Sequence, residues 1–160
     1  MRIGFGYDVH QITPNRPLWL GGICIPCDFG LEGHSDADVL LHALCDALLG
    51  AAALRDIGYH FPPVKGNEFE GIDSKILLKR TMAMIREKGY ELENCDCTIC
   101  AQTPKLMPYI DAMQQCISDG MGVSEEQVSI KATTTEHLGF VGRKEGIAAY
   151  ASVLLEKGEK

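Results

Sequence analysis

The spacing of apolar and polar positions predicts strands and helices in alternation. Arg2 to His10 is an apolar run that reads as a strand starting almost at the first residue. Thr13 to Pro26 is punctuated by glycine and proline. It carries two short apolar pieces, Leu18–Trp19–Leu20 and Ile23–Cys24–Ile25, around Gly21–Gly22, which is the grammar of a hairpin. Gly30 to Ser35 reads as a loop. From Asp36 or Asp38 to about Ala53 the pattern becomes a helix rich in Ala and Leu, with acidic residues in its first turn. Asp56 to Phe69 contains two prolines and two glycines and reads as a long loop.

Asp73–Ser74 caps a helix running to Lys88, with Ile76, Leu77, Thr81, Met84 and Ile85 on its apolar side and Gly89 ending it. Tyr90 to Ala101 reads as a strand, and Pro104 breaks the segment after it. Pro108 suits the first turn of a helix reaching Asp119, closed by Gly120. Ser124 and Gln127 stand at capping-box spacing before a strand from Val128 to Thr133. Thr134 to Gly146 is loop-like with one helical turn. Ile147 to Leu155 is a last strand before a charged tail. The order predicts an α/β (α+β) sandwich: a single four-stranded mixed sheet covered by helices on one face, plus a small N-terminal hairpin. The uncovered face calls for an oligomer. Neither an internal repeat nor a linker divides residues 1–160 into more than one domain.

Composition narrows the picture. Aromatics are 7% of 160 residues, so the core is aliphatic and built with Ala, Met and Cys. A formal net charge of −7 argues against nucleic-acid binding. It leaves room for an anionic small substrate, because a metal or a few local bases invert the field at a site. Seven cysteines, an odd number, with no signal peptide before Met1, predict free thiols in a reducing compartment. Bacterial cytoplasm is the expected location, a mature plastid enzyme the alternative. No apolar run approaches the roughly 20 residues of a membrane span.

The first concentration of chemistry is Asp8 and His10. On a strand their side chains share a face at roughly 6–7 Å of rise. Both are ordinary zinc ligands, and His42, in an otherwise apolar helical turn, is the best third. Such a trio leaves one coordination position open, as a catalytic zinc does. Asp38 or Asp46 would then fix the other ring nitrogen of His42. The plainer alternative is a packed His42 satisfied by one of those aspartates. His34–Ser35, just before that helix, suits either an anion seat or a simple cap. Asp56–Ile57–Gly58 offers a carboxylate in a tight loop or an Asx-type turn.

The second concentration is Lys131 to Glu136, followed by Gly139 to Lys144. Threonine hydroxyls and backbone N–H groups at a strand end suit phosphoryl oxygens. Glu136 suits a hard cation such as Mg²⁺ on a diphosphate, and Arg143 suits an anion. The alternative is a polar turn with a solvated basic pair. Ala101–Gln102–Thr103–Pro104–Lys105–Leu106–Met107 offers a backbone-rich turn, one lysine and an apolar pair for a flat ligand. Cys24-x-x-Cys27 with Cys97-x-x-Cys100 has the spacing of a four-cysteine zinc site. Against it, Cys97 and Cys100 point to opposite faces of a regular strand.

Taken together, the stretches RIGFGYDVH, GLEGHSDADVLLHALCDALLGAAALRDIG, the Phe61–Pro62 pair, AQTPKLMPYI and KATTTEHLGFVGRKEGIAA resemble the 2-C-methyl-D-erythritol 2,4-cyclodiphosphate synthases of the non-mevalonate isoprenoid pathway, over essentially the whole chain. The resemblance implies zinc, or another divalent ion, on Asp8, His10 and His42. It implies that His34, Ser35 and Asp56–Gly58, with Phe61 nearby, bind the methylerythritol phosphate part. Ala101 to Met107 and Thr133, Thr134 and Thr135 would cradle the cytidine diphosphate, with Glu136 holding Mg²⁺ or Mn²⁺. His34 and Thr134 would steady the transferring oxygens.

It further implies a homotrimer with its sheets around a three-fold axis and its active sites between subunits. Phe140 and Arg143 would line an axial cavity for an isoprenoid diphosphate. The implied reaction is attack of the substrate's 2-phosphate on its β-phosphate with release of CMP, a phosphorus–oxygen lyase activity. A zinc phosphohydrolase and a non-enzymatic prenyl diphosphate-binding trimer are the alternatives. One departure stands out: the acidic FPD-x-D pattern common in these enzymes reads Phe61–Pro62–Pro63–Val64–Lys65 here.

Overall fold

A computed structural model describes residues 1–158. Its strands are β1 (Arg2–Pro14), β2 (Leu18–Leu20), β3 (Ile23–Ile25), β4 (Phe29–Leu31), β5 (Tyr90–Cys100), β6 (Val128–Thr133) and β7 (Gly146–Lys157). Its helices are α1 (Val39–Ala51), α2 (Ile57–His60), α3 (Ser74–Glu87), α4 (Ile110–Met121) and α5 (Gly139–Gly142). Five strands form one mixed sheet in the order β4-β1-β7-β5-β6, and β2 with β3 form the expected hairpin. Only β5 and β6 run parallel; the other pairs are antiparallel.

The sheet therefore has five strands rather than four. The addition is β4, which pairs Phe29, Gly30 and Leu31 with Pro14, Thr13 and Ile12 inside a stretch expected to be loop. Three residues are too few for a periodicity, so only the partner strand reveals them. Other corrections are local. The Asp56–Phe69 loop contains α2, capped by the Asp56 carboxylate, which accepts from the Tyr59 N–H at 2.9 Å. Helix α3 buries Leu77, Leu78, Thr81, Met82 and Ile85, leaving Ile76 exposed, so its inward stripe is rotated from the expected one. Helix α4 passes through Gly120 and closes at Gly122, whose φ of 68° is the left-handed conformation a helix end favours. The Ser124–Gln127 capping box forms as expected.

The packing of α1 on β1 organises the core. From Val39 to Leu49 every side chain of α1 except Asp46 is buried, so this helix is apolar on nearly all sides. Each fully buried leucine, among them Leu40, Leu44 and Leu48, contributes about 1.5–3 kcal/mol of burial. Where α1 meets β1, alanines face glycines. A Cβ on Gly4 would lie 1.9 Å from the Ala47 carbonyl oxygen, and one on Gly6 would lie 1.9 Å from that of Ala43. No side chain larger than hydrogen fits at either strand position. Alternate residues of β1 face away from the helices: Ile3, Phe5, Tyr7 and Val9 are exposed, Ile3 at 79% and Phe5 at 64%. Tyr150 of β7 joins them, its ring 5.1 Å from that of Tyr7.

A paired substitution tests this seat. Gly6→Ala should destabilise the fold by about 3 kcal/mol through overpacking against backbone. Gly50→Ala, in α1 with nothing within 4 Å of its would-be Cβ, should stabilise it by about 0.5–1 kcal/mol. Urea unfolding midpoints of the two variants moving in the same direction would contradict this packing of α1 on β1.

Candidate functional site

Asp8 and His10 project from β1 toward α1, and His42 comes down from α1 to meet them. His10 Nε2 lies 2.9 Å from Asp8 Oδ2 and 3.1 Å from His42 Nδ1, and His42 Nδ1 lies 3.2 Å from Asp8 Oδ2. One carboxylate oxygen and two imidazole nitrogens thus lie within 4.8 Å of one another. Among the described residues this is the one cluster of three or more such groups.

The donor set fits a divalent ion in detail. The Glu32 backbone carbonyl can only accept, so His10 donates to it through Nδ1–H at 2.7 Å, which leaves Nε2 to face the cluster. Burial alone would lower the His10 pKa, but the Asp8 carboxylate and the Glu32 carbonyl hold it above the usual histidine value. Burial alone would raise the Asp8 carboxyl. The hydrogen bonds and charge of His10 and His42 outweigh it and hold Asp8 well below the usual carboxylate range. A cation held by the same three atoms would take over that charge balance.

The other ring nitrogen of His42 is not held by Asp38 or Asp46. His42 Nε2 lies 2.9 Å from Ser74 Oγ and 3.1 Å from Ser35 Oγ. Asp38, fully buried, accepts the N–H groups of Gly21, Gly22 and Leu41, so it caps α1 and pins the hairpin turn. Asp46 accepts from the Ile57 N–H at 2.8 Å and anchors α2. Burial pushes both carboxyls up. Each aspartate is spent on backbone N–H groups that helix or turn geometry leaves unpaired.

The cluster opens on a cavity of about 220 Å³ that also takes in His34, Ser35, Ile57, Gly58 and Phe61. Asp56 does not line it and serves as the α2 cap. His34 Nε2 lies 3.4 Å from Asn67 Oδ1, whose amide donates to the Pro62 carbonyl. Pro63, Phe69, Ile72 and Leu77 complete an apolar wall that sequence reasoning missed. In particular, Pro63 makes part of that wall where an acidic residue was the expected pattern.

A second cavity, of about 540 Å³, is lined by every residue from Ala101 to Met107 together with Ile110, Lys131, Ala132, Thr133 and Thr134. It lies beyond the carboxyl ends of the parallel strands β5 and β6. Thr135 and Glu136 lie past its rim. Glu136 and His137 are consecutive left-handed residues at φ 52° and 62°, and the Glu136 N–H donates to Thr134 Oγ1 at 3.2 Å. Phe140 lines a third depression with Val9, Gln11 and Glu145. Arg143 forks onto Glu145 at 3.2 Å through two nitrogens, so its guanidinium already holds a carboxylate.

The two Cys-x-x-Cys pairs form no cluster among the described residues: all seven cysteines are free, with Cys97 buried and Cys24 exposed. No helix among the described residues is long and apolar enough to cross a membrane.

The geometry can be set beside known proteins. The profile of the YgbB family matches residues 1–156. The 2-C-methyl-D-erythritol 2,4-cyclodiphosphate synthase of Parabacteroides distasonis is 62% identical over 157 residues, covering 98% of this chain and 97% of that one. That of Cytophaga hutchinsonii is 54% identical over 157 residues, covering 98% of each. Among solved structures, the bifunctional IspDF of Campylobacter jejuni superposes with a TM-score of 0.95 at 46% identity, over 99% of this chain and 42% of that longer one. IspF of Plasmodium falciparum in complex with CDP gives a TM-score of 0.87 at 34% identity, over 99% and 97% of the two chains. With a profile match and full-length relatives at these identities, the chain belongs to the YgbB family.

Proposed function

We propose that the protein converts 4-diphosphocytidyl-2-C-methyl-D-erythritol 2-phosphate into 2-C-methyl-D-erythritol 2,4-cyclodiphosphate and CMP. The observation that carries this reading is the Asp8/His10/His42 cluster opening on a cavity, in a chain 62% identical to such a synthase. An oxygen of the 2-phosphate forms a bond to the β-phosphorus. The bond from the β-phosphorus to the bridging oxygen breaks, and the electron pair leaves with CMP. The attacking phosphate is already ionised at neutral pH, so no protein base or nucleophile is required. The chain contributes position and charge.

Zinc on Asp8, His10 and His42, and Mg²⁺ or Mn²⁺ at Glu136, would supply Lewis-acid charge to the phosphate oxygens. His34 and Ser35 hold the phosphate nearest the cluster, and His34 and Thr134 steady the transferring oxygens. Asp56, Ile57 and Gly58 present the α2 turn to the diol, and Phe61 closes the apolar side. Ala101 to Met107 hold the cytidine, with Lys105 the basic group among them, while Thr133 to Thr135 offer hydroxyls to the diphosphate. Lys65 and Pro63, in place of acidic residues, make the loop over the diol less anionic.

Assembly completes the site in this reading. The exposed Ile3, Phe5, Tyr7, Val9 and Tyr150 form an apolar strip on the uncovered sheet face, the kind of contiguous patch that marks an interaction surface. Its burial supports a homotrimer with the sheets around a three-fold axis and each active site shared between neighbours. Phe140 and Arg143 would then border the axis, where an isoprenoid diphosphate must displace Glu145 from Arg143 to bind.

Phosphorus NMR of the products tests the reaction: a cyclic diphosphate appearing with CMP in equal amounts is expected, and a linear hydrolysis product would refute it. His42→Ala should remove tight zinc binding and depress CMP release beyond the roughly 10–100-fold that loss of a supporting contact costs. Retention of one zinc per chain by that variant would refute the ligand assignment. Glu136→Gln should weaken activation by Mg²⁺ or Mn²⁺ while leaving zinc content unchanged; an unaltered titration with either ion would remove Glu136 from that role.

A further inference from the structure

We propose that Arg16 is a positioning residue for the His34–Ser35 turn: it occupies the turn's carbonyls and so leaves the N–H groups for a phosphate. The proposal rests on reading that turn as the phosphate contact nearest the cluster, and Arg16 itself does not line the cavity.

The route of the chain brings Arg16 there. Asn15, left-handed at φ 63°, turns the backbone at the end of β1. The carbonyls of Arg16 and Pro17 then pack on Gly30 of β4, where a Cβ would lie 2.5 Å from each oxygen. From that seat the planar guanidinium reaches the residues that follow β4. Arg16 Nη1 donates to the Gly33 carbonyl at 3.1 Å and Nη2 to the Ser35 carbonyl at 3.0 Å.

These two bonds fix the peptides on either side of the His34–Ser35 pair. A trans peptide sets its N–H opposite its C=O. Arg16 therefore sets the direction of the His34 N–H through the Gly33 carbonyl. Through the Ser35 carbonyl it sets that of the Asp36 N–H, which donates to the Ile72 carbonyl at 3.2 Å. The peptide between them is held from elsewhere, because the His34 carbonyl accepts the Gly71 N–H at 2.8 Å. All three carbonyls of Gly33, His34 and Ser35 are thus spent. The N–H groups of His34 and Ser35 have no protein acceptor among the described residues. Successive free N–H groups in a turn suit an anion, and both residues line the cavity beside Asp8, His10 and His42.

Charge favours the same ligand. Arg80, Arg86 and Arg143 each face a carboxylate, whereas Arg16 pairs with none among the described residues and gives its donors to neutral carbonyls. Its positive charge therefore stands uncancelled by an ion pair, one peptide behind the turn, in a chain of net charge −7. Losing Arg16 would free two carbonyls to rotate toward the phosphate and remove that charge as well.

The test uses the full-length protein loaded with zinc. ¹H–¹⁵N NMR follows the backbone amides of His34 and Ser35 while inorganic phosphate is added at constant ionic strength. Both amides should shift saturably in the wild type. Arg16→Ala should raise the phosphate dissociation constant about tenfold with zinc content per chain unchanged. Arg16→Lys, which keeps the charge but not the planar fork, should recover part of the affinity. Methylguanidinium added to Arg16→Ala should restore it further. Arg16→Gln is read in the same way if Arg16→Ala does not fold. A folded variant lacking the guanidinium that binds phosphate as tightly as the wild type would overturn the proposal. So would wild-type amides that ignore phosphate, or a loss of affinity matched by a loss of zinc. A wild type with these phosphate shifts that releases no CMP from the proposed substrate would sink the proposed function and leave Arg16 in its role.

Discussion

The seat of α1 on β1 is the contact on which the remaining geometry depends. Gly4 and Gly6 let the carbonyl oxygens of Ala47 and Ala43 come so close that a strand Cβ would overlap them at 1.9 Å. At that separation His42, the residue before Ala43, reaches Asp8 and His10 on the strand at about hydrogen-bond distance. Ordinary side chains at Gly4 and Gly6 would lift the helix and open the cluster beyond the reach of one ion. The buried leucines on the other sides of α1 press it into place, so hydrophobic burial over the helix holds the three polar side chains together.

Charge is handled locally in a chain with net charge −7. Asp8 stays ionised in a half-buried setting because two imidazoles face it. The neighbouring aspartates Asp38 and Asp46 are committed to backbone N–H groups rather than turned to the cluster. A dication held by one carboxylate and two neutral imidazoles would leave the site net positive. That is the sign a phosphorylated substrate needs, and the surface does not supply it. The second cavity balances charge differently: two lysines, one of them paired with Asp96, and threonine hydroxyls at strand ends.

Much of the fold was legible because long elements carry their own periodicity. The strand from Arg2, the Gly21–Gly22 hairpin, the helix capped by Asp38 and the strands after Tyr90 and Val128 stand where pattern and caps put them. The short elements were not legible. Strand β4 has three residues and α2 four, and each exists because another element offers it hydrogen bonds. The stripe of α3 was misread for a related reason: which of two adjacent apolar rows turns inward depends on what α1 presents to it.

The same division runs through the site. Residue type and spacing determined Asp8, His10 and His42 as a trio, because a period-two pair on a strand and a histidine in an apolar helical turn are local signals. What holds each ring could not be read that way. Spacing along one helix pointed to Asp38 or Asp46, yet the partners are the Glu32 carbonyl on the far side of β4 and Ser74 at the head of α3. Sequence by itself determined which three side chains meet at the cluster and which segments fold locally. Tertiary structure alone decided how those side chains are oriented, because an imidazole's hydrogen goes to whichever acceptor packing brings near, and packing joins residues more than thirty positions apart.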